Sequence, residues 1–192
     1  MSAAPPPSGR RIRLARVAAW GLAALLLVAP FLAMQVTTDV QWTGSDFAVF
    51  GGLLLLIGGG CEWAFRRVGS WEGRSGWALT LLTAALLVLV NGAVGLIGSE
   101  QADANGLFGI VLAVLAVGLV ITKARLGRLA PVLAATGITQ VAVVALILLG
   151  SFISPDAWNL RDALFAGPGF AGLWFLAAVL FRRAAQYANR TV

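Results

Sequence analysis

Residues 10–36 read RRIRLARVAAWGLAALLLVAPFLAMQV: four arginines at 10, 11, 13 and 16, then an apolar run over 17–36 without a single charge. Wound as a helix at about 1.5 Å per residue, a run of about 20 residues matches the roughly 30 Å hydrocarbon core of a bilayer. Lipid offers backbone groups no hydrogen-bond partner, so such a segment must satisfy its own N–H and C=O groups as a helix. A charged start before an apolar middle is also the order of a secretory signal. The run is longer than a signal's core of roughly 7–15 residues, and is read as a retained first span.

The same pattern recurs along the chain. Six apolar segments emerge, approximately 17–36, 46–66, 76–98, 105–122, 130–151 and 160–181. Composition agrees: 59% of the 192 residues are hydrophobic and 11% charged, with mean hydropathy +0.89, whereas soluble domains carry about 25% charged residues. The expected fold class is an all-α membrane protein with six transmembrane helices. A disordered Pro/Ser/Ala-rich tail over 1–9 precedes a single transmembrane domain over 10–192.

Charge sets the expected orientation. Segments 10–16, 66–74, 123–128 and 182–190 hold thirteen of the fourteen Lys and Arg residues; the opposite loops hold Arg161 and six of the eight acids. Positive residues stay cytoplasmic, so both termini are placed inside. This distribution accounts for the net charge of +6 without nucleic acid. Trp42 and Trp158 on one side, and Trp63, Trp71 and Trp77 on the other, fit interfacial belts.

An internal echo suggests three repeated helical hairpins. Trp42, Asp46, Gly51 and Phe65-Arg66-Arg67 reappear, at one constant offset, as Trp158, Asp162, Gly167 and Phe181-Arg182-Arg183, with Phe108, Gly109 and Arg125 halfway between. Equal spans joined by equal loops would produce part of that spacing alone, so both readings stand.

Composition also excludes chemistry. The chain has no His and one cysteine, Cys61, which removes imidazole bases, Ser-His pairs, an internal disulfide and the usual zinc sites. No metal or other cofactor is expected. An intramembrane enzyme is the least favoured class, since no HExxH and no paired midplane carboxylates are present.

Polar residues gather instead at the outer side. Asn91, Gly95 and Gly98 share a helix face, and an amide inside a span hydrogen-bonds across close helix contacts. Facing lipid, its polar atoms would cost about 2–7 kcal/mol, so Asn91 points inward. Asp103 or Asn105 is placed to cap the next helix. The candidate polar site is Gln35, Asp39, Asp46, Asn91 and Glu100, read either as packing and capping groups or as the wall of an outward-facing pocket. Glu62 and Arg66, at i and i+4 near the inner interface, form a candidate ion pair. Pro168 and Pro30 each predict a kink; Thr136, Thr139 and Gln140 are the main polar residues near mid-membrane. GGLLLLIGGG at 51–60 lacks the Lys and Ser/Thr of a phosphate loop and reads as a close-packing face.

With these landmarks in view, PFLAMQVTTDVQWTGSDF (30–47), CEWAFRR (61–67) and NGAVGLIGSEQADAN (91–105), the chain resembles a family of small, uncharacterised bacterial six-span membrane proteins. The resemblance covers nearly the whole chain. It implies six helices in the inner membrane and carries over no catalytic residue. The expected function is a non-catalytic packing or accessory component of a membrane assembly, whose partners are the lipid bilayer and other membrane proteins or further copies. The alternative is a small transporter or channel using the outward-facing polar cluster.

Overall fold

The computed structural model describes residues 9–38, 40–93, 96, 103–151, 161 and 164–190. Six long helices account for most of them: α1 (Gly9–Val36), α2 (Gly44–Arg67), α3 (Trp71–Ala93), α4 (Phe108–Thr122), α5 (Leu126–Ser151) and α6 (Phe170–Arg190). A 3-10 turn, Asp103–Leu107, leads into α4, and a π-helical segment, Phe165–Gly169, leads into α6. No strand occurs among the described residues. With those lead-ins, six helices are long and apolar enough to cross a membrane: the chain is an all-α, multi-pass membrane protein.

Helix ends depart from the apolar runs in a consistent way. α1 begins at Gly9, α3 at Trp71 and α5 at Leu126, and α6 continues to Arg190. Hydropathy stops where charge begins, but the i to i−4 ladder does not. Most of the arginines are therefore carried on helical turns that continue beyond the apolar runs, Arg125 being in the α4–α5 turn. The tail read over 1–9 lies outside the described residues except for Gly9, which opens α1.

The chain divides into two compact units, residues 1–59 and 60–192. The first holds α1 and the start of α2. α1 runs unbroken through Pro30. A Cβ on Gly51 would rest 3.7 Å from Leu27, and one on Gly58 would meet the Trp20 ring at 2.9 Å. These two glycines lie on one face of α2, and that face receives α1. At the start of α2, Thr43 and Asp46 form a capping box: Asp46 Oδ2 accepts from the Thr43 N–H at 2.7 Å, and Thr43 Oγ1 accepts from the Asp46 N–H at 3.4 Å. Two orphan donors of the first turn are satisfied reciprocally. Thr43→Ala is expected to cost about 1 kcal/mol, read as faster amide exchange in the first turn of α2.

In the second unit α6 lies between α3 and α5, and α4 packs on α5. Phe170, Trp174, Ala177, Ala178, Phe181 and Ala184 are buried at helical spacing, while Arg182, Arg183 and Gln186 are exposed. That periodicity makes α6 the spine of the unit. At its basic end an edge-to-face stack runs Trp63–Trp77 at 5.4 Å and Trp77–Phe181 at 5.7 Å. The Trp77 ring, expected in an interfacial belt, is buried; Trp63 and Trp71 are exposed. Arg74 fastens the α2–α3 turn, donating to the Val68 carbonyl at 2.7 Å and lying over the Phe65 ring.

The internal echo meets unlike environments. Phe65 is 47% exposed and its counterpart Phe181 fully buried; Gly51 sits in regular helix and Gly167 in the π segment. Trp158 and Asp162 lie outside the described residues.

Candidate functional site

Among the described residues of the second unit, the buried polar residues are Thr80, Thr83, Asn105, Thr136 and Gln140, beside the indole N–H groups of Trp77 and Trp174. The threonines bond within their own helices. Thr80 donates to the Gly76 carbonyl and Thr83 to Leu79, each at 2.7 Å, and Thr136 to Val132 at 2.9 Å. This back-bonding hides a hydroxyl from an apolar surround. The amides instead reach between segments.

Gln140, on α5, is fully buried. Its Nε2 donates to the carbonyl of Ala166 at 2.6 Å, and Ala166 belongs to the π segment FAGPG. The cause is Pro168. It has no N–H, and its ring crowds the carbonyl one turn earlier, so the regular ladder cannot close there. The chain widens into a π turn, a common resolution of such a fault. In an α-helix the Phe170 N–H would reach Ala166; here it bonds Gly167, and the Gln140 amide takes the Ala166 carbonyl. Gln140 Oε1 and the indole N–H of the buried Trp174 have no hydrogen-bond partner. The middle of α5 and the π segment at the entry to α6 thus share a node with one satisfied donor and an unspent amide oxygen.

The second node lies at the α3–α4 connection. Asn91, in the last turn of α3, donates from Nδ2 to the Asn105 carbonyl at 3.1 Å, and Asn105 Oδ1 accepts from the Leu96 N–H at 3.1 Å. Asn105 is buried. It therefore fastens the connection from within rather than capping α4, whose N-cap position is Leu107 with no side-chain cap. Asn105→Ala would leave the Leu96 N–H buried and unpaired, at about 1–3 kcal/mol. Faster exchange of that amide is the expected readout.

Of the residues singled out in sequence, Gln35 is exposed in the last turn of α1, and Asp46 is exposed in the capping box of the first unit. Asn91 belongs to the second unit and contacts Asn105. Asp39 and Glu100 lie outside the described residues. Arg66 and Glu62 form an i,i+4 ion pair at the end of α2. What sequence reading did not join was Gln140 with Pro168. The signal was partial: Pro168 leaves the Leu164 carbonyl without its usual N–H, but the acceptor Gln140 takes is Ala166, two residues on, where the Phe170 N–H has turned to Gly167. Among the described residues no three His, Cys, Asp or Glu side chains gather to hold a metal ion. No protein-family model, curated protein or solved structure matches the chain.

Proposed function

We propose that this protein is a non-catalytic accessory component of a bacterial cytoplasmic membrane, with both termini in the cytoplasm, that acts by associating with other membrane components. The observation that supports it most is how the buried amides are spent. Gln140 Nε2 donates to the Ala166 carbonyl, Asn91 Nδ2 to the Asn105 carbonyl, and Asn105 Oδ1 accepts from the Leu96 N–H. These bonds all meet the chain's own backbone, while Gln140 Oε1 and Asn91 Oδ1 stay buried without a partner. The cation distribution supports the orientation, and six helices long and apolar enough to cross support the membrane. Two measurements test this reading. Reporter fusions in the 66–74 and 123–128 connections should report cytoplasm; an external signal overturns the orientation. Cross-linking in intact cells should join the chain to a defined membrane protein or to itself, and a chain recovered solely as monomer overturns the association.

A second reading, a small transporter or channel, has its own support in the π segment. Interrupted helices with polar atoms at mid-span form the binding sites of many transporters, and Gln140 Oε1 is unspent there. Gln140→Ala separates the two: a transporter loses a solute-dependent thermal shift while staying folded, whereas an assembly component changes only in stability.

A further inference from the structure

An open groove of about 660 Å³ runs along the second unit between α4 and α5. Ile110, Val117 and Ile121 line it from α4, Val132 and Ala135 from α5, and Arg128 stands at one end. Val117 and Ile121 are 55% and 72% exposed, so the groove opens sideways. From Ile110 to Thr122 it extends about 18 Å at 1.5 Å per residue, close to the roughly 15 Å of one leaflet of a 30 Å core.

The basic end is distinctive. Lys123 and Arg125, in the turn joining α4 to α5, are exposed beside Arg128, and no acid lines the groove. Lys123 and Ala124 both adopt left-handed backbone, at φ 51 and 52. Glycine takes that conformation freely, yet the position holds a cation.

We propose that this groove binds one anionic phospholipid, with an acyl chain along α4 and α5 and the phosphate at Arg128. An apolar trough one leaflet deep, ending at the Arg128 guanidinium, matches a hydrocarbon tail joined to a phosphate. A second copy packed here in parallel would instead set like charges together. The inference needs only that α4 and α5 lie in a bilayer, and it stands whether or not the chain is an assembly component.

The test uses the full chain in neutral detergent, titrated with phosphatidylglycerol or with phosphatidylcholine of the same acyl chains. Bound lipid is read by native mass spectrometry and stability by thermal unfolding. Phosphatidylglycerol should be retained at one per chain and raise the unfolding temperature, with phosphatidylcholine about fivefold weaker. Arg128→Gln should erase the preference, whereas Arg182→Gln, exposed outside the groove, should leave it. Ala135→Phe, on an exposed wall, should weaken both lipids. Equal binding of the two lipids, or a preference that survives Arg128→Gln, overturns the site. Equal losses in Arg128→Gln and Arg182→Gln would reveal diffuse attraction to a basic face, and also overturn it. So would a shift produced by inorganic phosphate alone, or a lipid-free dimer abolished by Ala135→Phe.

Discussion

Gln140→Leu is expected to destabilise the protein by about 1–3 kcal/mol, and by much less when Pro168 is alanine. Leucine removes the donor that serves the Ala166 carbonyl and strands that oxygen among buried side chains. In hydrocarbon no water arrives to replace it. Pro168→Ala restores an N–H and relieves the ring, so the segment can return to the regular ladder, in which Phe170 serves Ala166. The amide then has less to do. A double-mutant cycle by denaturant unfolding in mixed micelles measures the coupling. Additive costs would show that Gln140 and the π segment are stabilised independently, against the account given above.

Gly76→Leu should cost as much or more. A Cβ at Gly76 would sit 3.1 Å from the Phe181 ring, and Phe181 is fully buried and stacked on Trp77. Neither ring has room to retreat, so α3 must move off α6; overpacking of this kind costs about 1–3 kcal/mol, sometimes more. Gly137→Ala is the control. Its Cβ would meet the Phe175 ring at 3.0 Å, but Phe175 is 39% exposed and can swing outward. The helix-propensity gain of about 1 kcal/mol then offsets the contact, and the variant should be nearly neutral. Equal damage at both glycines would mean that burial of the opposing ring does not decide the outcome.

The number and kind of helices were legible because each crossing needs a charge-free run, and charged flanks close it. Helix ends were less so: α3 starts at Trp71 and α5 at Leu126, several residues ahead of the apolar runs that the sequence shows. The candidate site was legible in part. Asn91 had to face inward, and it does bond a group of its own unit. Its partner Asn105 was read as a cap because sequence shows a residue's neighbours along the chain and not the donor across a loop. Trp77 looked interfacial from its position near arginines, but helix rotation turns it toward Phe181. Gln140 and Ala166 are joined across 26 positions, a separation at which no periodicity carries information.

The brevity of α4 has a consequence of its own. Its 15 residues span about 22 Å, and the turn Asp103–Leu107 supplies the remaining reach at about 2 Å per residue. That turn is tethered by Asn91 and Leu96 through Asn105. Hydrophobic mismatch in a thickened bilayer would therefore load this tether before any other span, since the α4 span is the shortest of the six and has no excess length to recover by standing more upright.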